Sequence, residues 1–521
     1  MRLVSQRSDN LPCLAWCLAC DLNASVAVLT HGSGVETTKQ GFAEGAWDGA
    51  FETFGLDSAA VCAGSGGRLA SDGSLILATP THTLEALYSI SNENTVFVSN
   101  SLVFLLTAAG LELDADYRSY VLDQKTIARG LGAFVPGIPT RGGATITRHY
   151  HCNLLLRAGD GPRELEKPEP PSFGDFAAYR DWLADSVGAI VRNASDPARH
   201  PTYRPIATIS SGYDSPATAA LALAAGCNEA LTIREASWGP VTDDSGTPVA
   251  EKLGLTVHEV GLTDYLAAPG LPEADFVAPG DASDVPMSAF APWLANRILL
   301  TGFHGDKIWD PNNPDVSRRI ARGDASGSNL TEFRLRTGFI HLPVPFMGCT
   351  RAADIRRISR SSEMDHWRIG GHYDRPIPRR IAEEAGAARQ SFGQHKLATA
   401  VWWNLRPPKP ESAASYRAFS QASSRPLRRL VRWLHGSLYR TSRAWSGLAD
   451  LFGRLTQRLG RRVCLPQIVP RRFTEPADQD LLTQWGVFVV SDRYRDSRVV
   501  QEPPSSETLM HSPGDSNSSA S

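Results

Sequence analysis

Short apolar stretches dominate the first third of the chain. Runs such as SVAVLTHG (25–32) and NTVFVSN (94–100) are rich in β-branched residues, and ATITRHYHCNLLLR (144–157) alternates apolar and polar positions. Such residues fit pleated strands, and the glycine or asparagine at their ends favours turns. The pattern predicts antiparallel sheets up to about residue 160, with helices near 101–111 and 115–124.

A proline-rich segment, LEKPEPPS (165–172), interrupts this pattern. Prolines in series oppose both helices and central strands. The segment therefore predicts a boundary between a domain over residues 1–165 and a second domain over 173–405.

The pattern after the boundary is that of helices alternating with strands. Apolar residues recur at helical spacing in Phe176, Tyr179, Leu183, Val187 and Ile190. Short apolar runs then alternate with helical patterns, in PIATIS (205–210), EALTIRE (229–235), LTVHEV (255–260) and RILLTG (297–302). This alternation predicts βαβ units in a doubly wound parallel sheet.

The last part of the chain is basic and then polar. RPLRRLVRWLHGSLYR (425–440), within an extension over 406–498, predicts a basic amphipathic helix. Packing on its own protein is favoured, and contact with a membrane surface or an acidic partner is the alternative. Residues 499–521 are rich in serine and proline and predict disorder.

Composition excludes several classes of function. A formal net charge of -2 creates no field for nucleic acid, and no apolar run is long enough for a membrane span. We expect no export signal. Eight cysteines are few for 521 residues, and most have apolar neighbours, so we expect a reducing cytoplasmic setting.

Candidate chemistry lies in TISSGYDSP (208–216), between a predicted strand and a predicted helix. Gly212 allows close approach of an anion to the backbone, and the serines and the helix N-terminus offer hydrogen-bond donors. Asp214 would repel a phosphate unless a cation such as Mg²⁺ lay between them. A serine-rich helix cap is the other interpretation, and the local residues leave both open.

Two loops carry a resemblance to a known family. SSGYDSP resembles the SGGxDS pyrophosphate loop of the ATP-pyrophosphatase domain in the asparagine synthetase family, with Ser211 in place of the first glycine. About ninety residues later, ILLTGFHGDKIWD (298–310) is similar to the family's G-x-G-x-D-E signature at Gly302, Gly305 and Asp306.

Other segments agree with this resemblance. WDGAFETF (47–54) and VFVSNSLVFLL (96–106) are similar to the family's class II glutamine amidotransferase domain. The resemblance spans roughly residues 10 to 400. It implies an antiparallel α+β amidotransferase-like domain followed by a doubly wound ATP-pyrophosphatase domain.

The resemblance also implies an activity. Family members bind ATP and Mg²⁺, adenylate a carboxylate with release of pyrophosphate, and let an amine attack to form an amide. Carried over, Mg²⁺ would bind to Asp214 and Asp306, and pyrophosphate could meet Lys396 and either Arg375 or Arg379. The remaining nucleotide contacts would come from Ser210, Ser211, Gly212, Asp214, Ser215, Ile233 and Gly302.

The sequence departs from the family at three places. Residue 2 is arginine and the first cysteine is Cys13, so we expect no glutaminase nucleophile. Phe303 occupies the position of the family's general base, which His304 could replace. Lys307 replaces an acid and could contact phosphate directly or pair with Asp310.

These observations favour an ATP-dependent, AMP-forming amide ligase that does not use glutamine as nitrogen donor. Its substrate would be a small-molecule or peptide carboxylate, with no nucleic acid involved. A catalytically inactive nucleotide-binding or scaffold protein is the alternative.

Overall fold

The computed structural model describes residues 1–92, 94–371, 373–401, 403, 408–423 and 481–495. The basic helix predicted over 425–440 and the disordered tail predicted over 499–521 lie outside these residues.

Two sheets are built from the first 166 residues. Their strands are β1 (Arg2–Arg7), β2 (Trp16–Asp21), β3 (Val26–His31), β4 (Glu36–Thr37), β5 (Gly41–Trp47), β6 (Cys62–Leu69), β7 (Leu75–Ala78), β8 (Leu87–Asn92), β9 (Thr95–Ser99), β10 (Gly137–Pro139), β11 (Thr145–His149), β12 (Cys152–Arg157) and β13 (Asp160–Glu166). One sheet has the order β1-β3-β2-β9-β8-β11-β10, and the other has the order β13-β12-β7-β6-β5-β4. All pairs are antiparallel except β1 with β3.

A third sheet follows and is wholly parallel. Its strands are β14 (Arg204–Thr208), β15 (Glu229–Ile233), β16 (Thr256–Val260), β17 (Arg297–Thr301) and β18 (Ile340–Pro343), in the order β16-β15-β14-β17-β18. The coarse prediction of a mixed α/β protein with antiparallel and parallel sheets is confirmed.

The described helices pack on and between these sheets. They are α1 (Leu102–Ala108), α2 (Tyr120–Lys125), α3 (Phe176–Ala194), α4 (Asp214–Ala224), α5 (Thr247–Leu253), α6 (Pro272–Val277), α7 (Ala291–Leu294), α8 (Gly305–Ile308), α9 (Thr331–Thr337), α10 (Ala352–Arg360), α11 (Pro376–Glu384), α12 (Pro410–Ala422) and α13 (Leu482–Ser491). The predicted face of α3 is buried, which confirms the helical spacing of its apolar residues.

The run ATITRHYHCNLLLR forms two strands rather than one. It divides into β11 and β12, which belong to different sheets. His151, between them, has a φ of 52°, a left-handed conformation that turns the chain from one sheet to the other. Alternation alone does not reveal such a turn.

The parts of the chain meet through apolar contacts and buried charges. Residues 167–175, which include the prolines, form neither helix nor strand. Beyond them, α3 packs against both β5 and α4. Strand β5 also contacts α9 through charged groups. Arg334 of α9 donates to Glu44 of β5 at 2.7 Å and lies 2.9 Å from Glu85, and all three side chains are buried.

None of the helices in the described part of the chain combines the length and apolar character needed to span a bilayer. The seven cysteines within the described residues form no disulfide.

Candidate active site

The serine-rich loop lies at the carboxyl end of β14, where α4 begins. Ser210 Oγ is 2.8 Å from Ser215 Oγ, and the Gly212 amide donates to Ser210 Oγ at 3.2 Å. A Cβ on Gly212 would project between Ser210 Oγ and the Tyr373 hydroxyl, at 3.4 and 3.5 Å. Glycine therefore leaves space beside the N-terminus of α4, whose free backbone N–H groups favour an anion.

The second loop, which follows β17, lies directly against the first. A Cβ on Gly302 would be 2.6 Å from the Ser215 amide nitrogen, and a Cβ on Gly305 would be 2.5 Å from the Asp214 carboxyl carbon. Both distances are too short for a side chain, so the two glycines allow the loops to touch. Because β14 and β17 are neighbours in a parallel sheet, both loops lie at its carboxyl edge, where such sheets bind ligands.

The contact brings two partly buried aspartates, Asp214 and Asp306, together. Burial and the negative charge of Asp306 raise the pKa of Asp214. Burial would also raise the pKa of Asp306, but Lys396 and Lys307 outweigh it and lower that pKa. Lys396 Nζ is 3.1 Å and Lys307 Nζ is 3.4 Å from Asp306 Oδ2.

The aspartate pair fits a divalent cation. Asp214 Oδ1 is buried and has no hydrogen-bond partner in the described part of the chain. An unpartnered buried carboxylate oxygen, in a side chain that also senses the negative charge of Asp306, is unfavourable without a cation. Carboxylate oxygens are the donors that Mg²⁺ prefers.

The two loops open into one cleft with a volume of about 410 Å³. Leu231 and Ile233 line it from the neighbouring strand, and Pro286, Met287 and Phe290 line it from a 3-10 helix, Val285–Phe290. The cleft therefore offers apolar contacts for a flat ring beside polar groups for an anion.

Most residues predicted for the site line this cleft, whereas Ser211, Arg375 and Arg379 do not. The cleft wall includes Ser210, Gly212, Asp214, Ser215, Ile233, Gly302, His304, Asp306, Lys307 and Lys396. Ser211 lies behind it and donates to Asp244 Oδ1 at 2.8 Å. Arg375 also lies behind it, where Nη2 contacts Asp310 at 3.2 Å and the Asp306 carbonyl oxygen at 3.3 Å.

The other arginine considered for pyrophosphate, Arg379, is also outside the cleft wall. It is fully buried, and it donates to the Tyr213 hydroxyl at 2.9 Å and to Glu383 at 3.1 Å. These contacts hold the residue before α4. Lys307 pairs with the adjacent Asp306, whereas Asp310 pairs with Arg375.

His304 is in the cleft wall, but one of its ring nitrogens has protein neighbours. Nε2 lies 2.9 Å from Arg322 Nη1 and 2.8 Å from the Ser326 carbonyl oxygen. Burial and the charge of Arg322 lower the pKa of His304 to about 4. The ring is therefore neutral at pH 7, and its role as proton acceptor stays a prediction. Phe303 lies beside it and has no titratable group.

Sequence reasoning missed three acids of the cleft: Asp244, Asp284 and Asp324. Asp244 belongs to the acidic turn DDSGT (243–247), which follows β15 and leads into α5, where local order along the chain could have indicated it. Asp284 and Asp324 lie in loops without a recognisable spacing, and the fold alone brings them to the cleft.

Cys13 is not among the residues that line the cleft. It packs against two glycines: a Cβ on Gly34 would be 2.5 Å and a Cβ on Gly338 would be 3.3 Å from its Sγ. These contacts are those of a packed side chain.

No protein-family model matches this chain, and no curated protein is similar enough to be counted as a match.

Proposed function

We propose that this chain is an ATP-dependent, AMP-forming ligase that adenylates a carboxylate and joins it to an amine. The observation that carries the proposal is the unpartnered Oδ1 of Asp214, buried beside Asp306 and next to the N-terminus of α4. A cation-binding pair adjoining an anion-binding helix end suits a metal–nucleotide complex better than either ligand alone.

The residues of the cleft have distinct roles in this proposal. The Ser210 and Ser215 hydroxyls and the α4 backbone N–H groups bind the phosphate oxygens. Asp214 and Asp306 would hold Mg²⁺, which would supply charge neutralisation to the phosphates and Lewis-acid activation of the reacting phosphorus. Lys396 then stabilises the charge that develops on the departing pyrophosphate.

Other residues position this machinery. Arg375 supports the Asp306 loop from behind, through its contacts with Asp310 and the Asp306 carbonyl oxygen. Ile233 provides an apolar edge for the adenine ring in the cleft. With the phosphates and ring fixed, a substrate carboxylate need only be held in line with the α-phosphorus.

We infer that the domain over 1–165 is a degenerate amidotransferase-like domain and that the ATP-pyrophosphatase domain covers 173–405. The packed environment of Cys13 supports an amine other than glutamine nitrogen. The unpaired cysteines of the described residues suit a reducing compartment, and we propose the cytoplasm. The substrate carboxylate belongs to a small molecule or a peptide.

Equilibrium binding of ATP to the full-length chain, with and without Mg²⁺, tests the proposal. We expect Mg²⁺ to tighten ATP binding and D214N or D306N to abolish this effect. D264N is a matched control, because Asp264 is exposed and its carboxylate accepts a hydrogen bond from the Gly261 amide outside the cleft.

A pyrophosphate-release screen over small and peptide carboxylates then identifies the substrate. Equal ATP binding in D214N and wild type would refute the metal assignment. Binding of ATP without pyrophosphate release from any carboxylate would favour the inactive scaffold. Absence of ATP binding would overturn the ligase.

A further inference from the structure

Asp284 lies on the cleft wall, in the segment that joins β16 to β17. Its side chain is 7% exposed, and it immediately precedes the 3-10 helix Val285–Phe290. The Gly327 amide donates to its Oδ2 at 2.8 Å, and Asn329 Nδ2 donates to the same oxygen at 2.7 Å. Oδ1 accepts neither of these two hydrogen bonds, and the Asn329 backbone also acts on the carboxylate by opposing the rise in the pKa of Asp284 that burial causes.

The charge of Asp284 is not balanced by an ion pair in the described part of the chain. The neighbouring Asp281 does have a partner, Lys125 Nζ at 3.1 Å, while Arg322 Nη2 donates to Ser328 Oγ at 2.7 Å. Burial and the negative charge of Asp281 raise the pKa of Asp284 to about 7. A carboxylate in this position is stabilised by a cationic ligand.

Asp284 is also close to the loop that carries Asp306. Gly327, whose amide binds Asp284, packs on Phe303: a Cβ on Gly327 would be 3.1 Å from the Phe303 ring. A ligand nitrogen held by Asp284 would therefore lie on the side of the cleft occupied by the loop that follows β17 and carries Asp306. Phe303 itself supplies no proton acceptor there.

Two other acids of the cleft, Asp244 and Asp324, also accept hydrogen bonds. Asp244 accepts from the Ser211 hydroxyl at 2.8 Å. Asp324 accepts from the Ser326 amide at 3.0 Å, and the nearby His304 helps to lower its pKa despite burial. Since Asp214 and Asp306 are assigned to the metal, Asp244 and Asp284 are the remaining cleft acids with a raised pKa, which burial brings to about 6 and about 7. Asp284 is the one that comes just before the apolar wall residues Pro286 and Met287.

We propose that Asp284 binds the amine co-substrate as an alkylammonium ion and accepts one of its protons, an inference that rests on the proposed ligase function. The residues that follow it in the cleft wall, Pro286, Met287 and Phe290, offer apolar surface to a carbon chain. This apolar surface favours an alkylamine over free ammonia.

The reactants of the proposed step are R′–NH₃⁺ and an acyl-adenylate. One proton moves from nitrogen to Asp284 Oδ1, which frees the nitrogen lone pair to attack the acyl carbon. The new C–N bond forms, and the acyl C–O bond to AMP breaks with its electron pair on the AMP phosphate. The second nitrogen proton passes to water, which leaves a neutral amide.

Binding of n-butylamine to the full-length chain, loaded with Mg²⁺ and a non-hydrolysable ATP analogue, tests the inference by calorimetry. We expect saturable binding of one n-butylamine and none of 1-butanol, its neutral counterpart. Binding should be about tenfold weaker at pH 6 than at pH 8, because protonation of Asp284 near pH 7 removes the charge. D284N should weaken binding at least tenfold and lose the pH dependence, whereas D264N should retain both.

Equal n-butylamine binding by D284N and wild type would overturn the inference, as would tighter binding at pH 6 or no binding to the wild type. Thermal unfolding and nucleotide binding establish that D284N is folded, and D284S replaces it if it is not. With the carboxylate from the pyrophosphate-release screen, D284N should retain ATP–pyrophosphate exchange and lose amide formation by about a hundredfold or more. Failure of Mg-ATP to bind would overturn the ligase itself, whereas nucleotide binding without amine binding overturns only the amine site.

Discussion

Gly305 lies so close to Asp214 that a Cβ at position 305 would be 2.5 Å from the Asp214 carboxyl carbon. Asp306 follows Gly305 directly, so this contact places the second carboxylate beside the first. The acid pair therefore depends on the absence of a side chain at Gly305 as much as on the aspartates themselves.

Substitution G305A tests this dependence. Overpacking at such a contact is expected to lower the free energy of unfolding by about 1–3 kcal/mol and to separate the two loops. Urea unfolding and Mg-ATP binding measure the two effects. G174A is the control, because a Cβ on Gly174 would have nothing within 4 Å, and wild-type nucleotide binding by G305A would contradict the prediction.

Lys396 is expected to matter more to nucleotide binding than Lys307. Lys396 Nζ lies nearer to Asp306 Oδ2, at 3.1 Å against 3.4 Å, and reaches the cleft from a distant segment. Loss of a charged hydrogen bond to phosphate in K396M should weaken Mg-ATP binding by about ten- to a hundredfold. K307M should have a smaller effect and K252M, on exposed α5 surface, none. A larger loss in K307M would reverse the assignment.

The buried guanidinium of Arg334 is expected to dominate the stability of the junction between α9 and β5. Its removal in R334M leaves the carboxylates of Glu44 and Glu85 buried without their partner. Breaking a buried pair in this way lowers the free energy of unfolding by about 3–5 kcal/mol. Urea unfolding measures this loss. R141M, which breaks the exposed pair of Arg141 with Glu112, should change the free energy of unfolding by less than about 1 kcal/mol.

The sequence predicts the strands and the loops that follow them better than it predicts the cleft residues that come from other segments. Apolar runs before Ser210 and before Gly302 fall in β14 and β17, because local β-branched residues favour strands there. Topology then places both loops at one edge. The site residues that follow those strands could thus be proposed from local order.

The remaining cleft residues depend on contacts between distant segments. Asp284 is held by Gly327 and Asn329, more than forty positions away, and no local spacing encodes that meeting. Arg375 is expected to meet pyrophosphate, yet its guanidinium lies behind the cleft wall, because Asp310 and the Asp306 carbonyl oxygen hold it there. Side-chain direction of this kind is set by packing rather than by residue type.

Acid is expected to destabilise the chain through His82 and His341. Both rings are buried, with centroids 6.1 Å apart. Burial and the charge of Arg334 lower the pKa of His341 to about 3, and burial and His341 lower that of His82 well below its usual value. In the unfolded chain both titrate near 6.5. Below that pH the unfolded state binds protons that the folded state excludes, so stability falls as pH drops.

The expected loss is up to about 1.4 kcal/mol per pH unit for each histidine. Glu85 lies 3.8 Å from His341, and burial raises its pKa to about 7. Its contribution to stability therefore increases as pH falls, opposite to that of the histidines, so the pH slope of each variant is compared with that of wild type. Urea unfolding between pH 7.5 and 5 should show a shallower loss in H341Q than in wild type. H366Q, at an exposed histidine, should match wild type, and an unchanged slope in H341Q would show that this ring is protonated in the folded chain.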